Sequence, residues 1–292
     1  IQYLSADKQF KLQNGNSGLK NHSYYERTKY KTKFEDLWEE LRKRKLAKHS
    51  LLDLRNSQLF KFSPYKALNE DQYQVVEDLI KEIKTHQIST HIVKGGPGTG
   101  KTILATFLMK QLLGDEKLSL NIGLVIPMTS LRNTLREVFR SINGLKANMI
   151  LGPSDVFKNK YDLLIVDEAH RLKKRTNITN YGAFDINNKK LGLGNEGTEL
   201  DWIIRNSKHQ IFFYDANQSV KPSDIDPDKF INLQAKQHIL AQQMRVLGGD
   251  EYMAFVDYLF SNKPSKIPFL EEYEVKFFDD LKPMLEVVKS KN

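Results

Sequence analysis

Hydrophobic and polar positions follow two different periods along this chain, and the switches between them outline its elements. Thr90-His91-Ile92-Val93 is a short β-rich run. Glycines follow it, and then Ile103-Leu104-Ala105-Thr106-Phe107-Leu108-Met109, an apolar-periodic stretch that reads as a helix opened by Thr102. Residues 121–126 form a second predicted strand, ended by Pro127, with a helix expected from Thr129 to Ile142. Asp162-Leu163-Leu164-Ile165-Val166 is continuously apolar after one polar residue, as in a parallel strand buried on both faces. Gln210 to Tyr214 is a further strand. Upstream, Asn69 is placed to cap a helix running through Ile83. Strands alternating with helices predict an α/β fold with a mostly parallel central sheet flanked by helices.

The punctuation divides this pattern. Residues 1–22 are polar and rich in Asn and Gly, whereas residues 24–59 look helical. Within the latter, Phe34, Leu37, Trp38 and Leu41 share one face of a helix begun near Lys33. Ser63-Pro64 breaks the pattern, so the main core is expected to begin near Phe62. Trp202, in an apolar stretch from Leu200 to Ile204, is expected in that core. Residues 173–199 are polar, Gly/Asn-rich and too long for an ordinary connection, and read as a functional or disordered insertion.

The glycines after the first strand carry the chemistry. Gly95-Gly96-Pro97-Gly98-Thr99-Gly100-Lys101-Thr102 fits the phosphate-binding pattern G-x-x-x-x-G-K-[ST], in the strand–loop–helix context that the pattern requires. Gly95, Gly98 and Gly100 let backbone N–H groups turn inward to cradle an anion at the start of a helix. Lys101 is placed to reach β- and γ-phosphates, and the Thr102 hydroxyl to ligate Mg²⁺. The apolar strand ending at Val166 is followed by Asp167-Glu168-Ala169-His170. Ligands of such sheets bind beyond the carboxyl ends of the strands. Asp167 is therefore expected to hold Mg²⁺ through water, and Glu168 to polarise the attacking water. His170 either couples nucleotide to neighbouring contacts or faces solvent.

Composition narrows the setting. The 292 residues contain no cysteine, which excludes disulfides, zinc fingers and thiolate chemistry and fits a cytoplasmic location. No stretch approaches 18 apolar residues, so no membrane span or membrane partner is expected. The first residue is Ile1, and the sequence is expected to be a piece of something longer. Of the net charge of +9, residues 1–60 carry 13 Lys/Arg against 7 Asp/Glu, or +6, leaving +3 for the other 232. A basic surface favours polyanions, nucleic acid above all.

These motifs together resemble the first motor domain of a superfamily 1 helicase, and more closely the Schlafen-group DNA/RNA helicase-like ATPases of bacteria. The resemblance spans roughly residues 60–280. It implies a RecA-like P-loop NTPase fold with a small helical N-terminal appendage. The implied domains are a basic N-terminal region (1–60), motor domain 1 (61–265) and the start of a second motor domain (266–292). It also implies ATP and Mg²⁺ as ligands, and single-stranded nucleic acid, DNA rather than RNA, as partner. Within Leu68-Asn69-Glu70-Asp71-Gln72, Gln72 corresponds to the glutamine that reads the adenine edge, with Phe62 or Tyr65 available to stack on the ring. Pro127-Met128-Thr129-Ser130 occupies the place of the first nucleic-acid contact. Gln218, in Asp215-Ala216-Asn217-Gln218-Ser219, corresponds to a γ-phosphate sensor, and Arg245 to the cation that neutralises the transferring phosphoryl group.

Ile1 to Asp7, with Leu12-Gln13-Asn14-Gly15-Asn16, resembles the tail of a GIY-YIG-type nuclease domain. Such a domain is then expected upstream in a parent chain. Residues 272–278 are expected to begin the second motor domain as its first strand. With only that start present, ATP binding with weak hydrolysis and no unwinding is the expectation. Two other classes stay open at this point: an ATP-dependent switch gating a nuclease or protein partner, and a small-molecule kinase, which the Asp-Glu pair and later glutamine and arginine disfavour.

Overall fold

A computed structural model describes residues 27–64, 68–215, 218, 221–240, 249–260 and 276–290. Backbone contacts separate two units, Ile1–Gly95 with Lys101–Ile239, and Gly96–Gly100 with Leu240–Asn292.

The first unit is built on six strands: β1 (Ser89–Gly95), β2 (Ile122–Val125), β3 (Ile150–Leu151), β4 (Tyr161–Val166), β5 (Ser207–Tyr214) and β6 (Lys236–Leu240). They lie in the order β3-β2-β4-β5-β1-β6. The β3–β2, β2–β4, β4–β5 and β5–β1 pairs are all parallel. The expected mostly parallel α/β sheet is thus present. Register places Leu151, Val125, Val166, Phe212 and Ile92 in one row across five strands. All five belong to one buried cluster, so the apolar runs that predicted the strands also fix their alignment. Parallel alignment then brings the last residues of β1, β4 and β5 to the same edge. Gly123 in β2 has a steric reason: a Cβ there would lie 2.6 Å from Leu151 Cδ1 and 2.9 Å from Leu164 Cδ2.

Helices cover the sheet. Short N-terminal helices, α1 (Arg27–Lys43), α2 (Leu51–Asn56) and α3 (Gln58–Lys61), precede α4 (Glu70–Thr85), which buries Val75, Val76, Leu79 and Ile83. The apolar stretch after the glycines is α5 (Lys101–Leu113), with Leu104, Ala105, Leu108 and Met109 fully enclosed. The helix after Pro127 is α6 (Thr129–Arg140).

The segment 173–199 departs from expectation. It is neither structureless nor set apart from the core: it contains helix α7 (Tyr181–Lys190). Phe184 packs on Trp202 of α8 (Glu199–Asn206), with ring centroids 4.5 Å apart. Trp202 Nε1 donates to Asn188 Oδ1 at 2.7 Å, and Asn188 Nδ2 donates to the carbonyls of Gly194 and Gly197. Arg175 grips Asp185 through two hydrogen bonds of 2.6 and 2.9 Å. The polar residues that made the segment look like an insertion satisfy its turns. Trp202 is in the core as expected, 1% exposed. Between β5 and β6 lies one more short helix, α9 (Pro227–Ile231), whose Phe230 is buried.

In the second unit, Thr99 N–H and Oγ1–H both donate to the Gly96 carbonyl, closing a turn within the loop. Helices α10 (Gly249–Phe260) and α11 (Leu281–Ser290) follow. Of the strand expected at 272–278, residues 272–275 lie outside the described residues, and Lys276–Phe278 are not in a strand. Among the described residues no helix is long and apolar enough to cross a membrane.

Candidate active site

The phosphate-loop sequence folds locally as its glycines require. Gly98 and Gly100 have φ of 81° and 83°, a conformation that costs a side-chain-bearing residue energy. Gly95 ends β1, and Lys101 begins α5, so loop and helix start are contiguous in sequence as the motif demands.

Around Lys101 the sheet edge gathers acidic groups. Lys101 is 7% exposed; its Nζ donates to the Gly95 carbonyl at 2.6 Å and lies 3.7 Å from Asp215 Oδ2. The ammonium is thereby folded back onto the ends of β1 and β5. Thr102 Oγ1 donates to Asp167 Oδ2 at 2.6 Å, and the Glu168 backbone N–H donates to Asp167 Oδ1 at 3.1 Å. Asp167 is completely enclosed. Burial, and next the charge of Glu168, push its pKa up to about 6, while Thr102 and Lys101 pull the other way. A carboxyl so placed gains from a nearby cation.

A hydroxyl and a carboxylate oxygen joined this closely are hard ligands of the kind Mg²⁺ takes. Among the described residues no three His, Cys, Asp or Glu side chains gather as a metal cage. Mg²⁺ completes its shell with water and phosphate, and the Thr102 hydroxyl and Asp167 carboxylate fit it.

Glu168 has φ 55° and ψ 44°, left-handed backbone unusual for a non-glycine residue. From there its carboxylate reaches His170, whose Nε2 is 2.9 Å from Glu168 Oε2. The His170 imidazole beside it holds the Glu168 carboxyl below the usual glutamate range, against the opposing effect of burial. The ring of His170 is completely buried, so this residue does not face solvent.

Gln218 joins the group through Asp215, donating from Nε2 to Asp215 Oδ2 at 2.8 Å. The contacts thus form two groups, Lys101–Asp215–Gln218 and Thr102–Asp167–Glu168, which meet at the adjacent residues Lys101 and Thr102 that open α5. Arg245 and Tyr65 lie outside the described residues. Gln72 is placed differently from its expected role as an open adenine-reading amide. It is 2% exposed, and its Oε1 accepts from the Asn69 N–H while Asn69 Oδ1 accepts from the Gln72 N–H, the reciprocal cap of α4. The physical reason is local: a glutamine three residues after an N-cap asparagine closes the box. Thr129 in α6 is bound by Arg132 Nη2, and Arg132 Nη1 donates to the Ile126 carbonyl.

Asp215 is a site residue that sequence reasoning missed. The signal was present, since Asp215 follows β5 as Asp167 follows β4, but its pairing with Lys101 depends on the strand order.

Residues 89–292 match the family described as Schlafen group 3, DNA/RNA helicase domain. The chain belongs to this family. The match includes the loop, both acidic strand ends and the Arg245 segment, and it bears out the resemblance to Schlafen-group helicases. No curated protein matches the chain. Among solved structures, domain III of the Thermotoga maritima replication initiation protein DnaA is 13% identical with a TM-score of 0.35, over 70% of this chain and 75% of that one. A Pif1 helicase structure on forked double-stranded DNA is 15% identical with a TM-score of 0.35, over 66% of this chain and 48% of the other. AMPPCP-bound DnaA from Aquifex aeolicus is 13% identical with a TM-score of 0.34, over 79% of this chain and 66% of that one. At such scores the Schlafen group 3 assignment rests on the family match alone.

Proposed function

We propose that this helicase-family domain is a nucleic-acid-dependent ATPase of superfamily 1 type. The observation that carries the reading is the convergence of Lys101, Thr102, Asp167, Glu168 and Asp215–Gln218 at the ends of adjacent parallel strands. Phosphate groups enter the loop Gly95, Gly96, Pro97, Gly98, Thr99 and Gly100, whose amides cradle them, and Lys101 leaves Asp215 to pair with the β- and γ-phosphates. Thr102 and Asp167 hold Mg²⁺, which neutralises charge on the phosphates when bound. Glu168 accepts a proton from water as its oxygen bonds to the γ-phosphorus; the bond from that phosphorus to the β-phosphate bridging oxygen breaks, and ADP leaves. Gln218 senses the γ-phosphate, Arg245 offsets the charge that develops there, and Gln72 contacts adenine if its cap opens. The basic surface takes single-stranded nucleic acid, DNA in preference to RNA. Full motor action requires a second motor domain, and a nuclease domain upstream would add cleavage to it.

ATP turnover titrated with single- and double-stranded DNA and RNA at two salt concentrations tests the proposal. Turnover stimulated by single strands and abolished by Lys101→Ala supports it, as does Glu168→Gln binding ATP without hydrolysing it. The salt slope reports the number of phosphate contacts. ATP-driven complex formation with a protein, unaffected by nucleic acid, would instead identify a nucleotide switch.

A further inference from the structure

His170 is a polar ring in a place that packing alone would give to a hydrophobic residue. It sits on the single 3-10 turn Ala169–Arg171 and is wholly buried. It meets the Tyr214 ring edge-on with centroids 6.4 Å apart, and Tyr214 in turn packs tilted against Phe230 at 4.5 Å. Neither imidazole nitrogen has an aligned hydrogen-bond partner. Among the described residues the polar group against the ring is the Glu168 carboxylate, at 2.9 Å from Nε2 but off the line of the N–H. Burying an imidazole with so little return costs stability. Glu168 is also strained, in left-handed backbone, and the Arg171 N–H donates to its carbonyl at 2.8 Å to hold the turn. Two unfavourable features therefore meet at one carboxylate, the pattern of a fold that spends stability on placing a group.

We infer that His170 is a positioning residue: braced by Tyr214 and Phe230, it holds the Glu168 carboxylate from the inner side and so fixes where that base meets water. Glu168 has a backbone that aims it and an imidazole that stops its rotation. Without the Nε2–H of that ring, the carboxylate is free to turn toward Lys101, whose charge attracts it. The inference rests on the proposed role of Glu168. It deepens that role by assigning a residue that acts through Glu168.

Three substitutions test it. His170→Ala removes the stop, and a carboxylate misplaced by an ångström is expected to lower kcat by about 100-fold. Nucleotide affinity should stay within a factor of about two, since Lys101 and Thr102 are untouched. His170→Gln restores an N–H at the position of Nε2 and should recover most of the rate. Combined with Glu168→Gln, His170→Ala should cause no further loss, because both changes remove the same base. Crystal structures of the Ala and Gln variants supply a readout independent of turnover: Glu168 displaced in the first and retained in the second. Should His170→Ala not fold, His170→Phe keeps the ring volume without the nitrogen and takes its place. Glu168 unmoved in the Ala or Phe crystals, or a loss that adds fully to that of Glu168→Gln, overturns the inference. If the unsubstituted protein hydrolyses no ATP, the proposed function fails while the position of Glu168 in the crystals still decides the role of His170.

Discussion

Glu199 should make the stability of this protein depend on pH in a direction opposite to ordinary acid denaturation. It opens α8, is 7% exposed, and its Oε2 accepts from the Lys173 N–H at 2.8 Å. Burial pushes its pKa from 4.5 up to about 7. The folded chain then holds a proton that the unfolded chain has lost, so stability falls as pH rises from about 4.5 to about 7. A shift of that size corresponds to about 3 kcal/mol. The start of a helix favours negative charge by up to about 1 kcal/mol, which leaves a net cost of about 2 kcal/mol. Glu199→Gln keeps an acceptor for Lys173 and resembles the protonated acid in shape. Urea unfolding of both proteins at pH 5 and pH 8.5 should show the variant gaining about 1 to 2 kcal/mol relative to the original as pH rises. Differencing removes groups common to both, such as His91, which burial and His238 push down to about 4 and which weakens the fold as pH falls below 6.5. A difference that is flat or shrinks with pH refutes the reasoning.

Other substitutions probe the site and the sheet. Asp167→Asn should abolish any Mg²⁺ dependence of nucleotide binding, read by calorimetry with and without EDTA; unchanged dependence would remove Asp167 from the metal site. Trp202→Ala deletes the ring between Phe157 and Phe184 and the bond to Asn188, and should cost about 3–5 kcal/mol in denaturant unfolding. A loss below about 1 kcal/mol would mean that residues 173–199 are not part of the core. Gly123→Ala meets two leucine methyls below 3 Å and should destabilise by about 1–3 kcal/mol, with nucleotide affinity unchanged if the sheet edge is undisturbed.

What was legible in the sequence follows from how local each signal is. β1, β2, β4 and β5 are apolar runs with clear ends, and Asn69 marks the start of α4, so these were readable within a residue or two, except that β5 begins three residues earlier, at Ser207. β3 is only Ile150–Leu151, and β6 opens with three polar residues, Lys236, Gln237 and His238, before Ile239 and Leu240, so neither has a period to detect. The segment 173–199 was misread because its asparagines and glycines serve internal hydrogen bonds that composition does not reveal. At the site, Lys101, Thr102, Asp167 and Glu168 were legible because backbone chemistry fixes their spacing. The use of Asp215 by Lys101, and the packing of His170 against Tyr214, depend on β5 lying between β1 and β4, which only the assembled sheet specifies.

The strand order has a consequence for biosynthesis. Both neighbours of β1 in the sheet, β5 and β6, come later in the chain, and Ser89 pairs with His209, 120 residues on. At about 5–20 residues per second, the apolar strand that leads into the glycine loop waits roughly 6–24 s on the ribosome before either flank exists. During that interval Ile92 and Val93 have no sheet to join, which makes the nascent N-terminal half a natural client for chaperones and ties its yield in cells to translation speed.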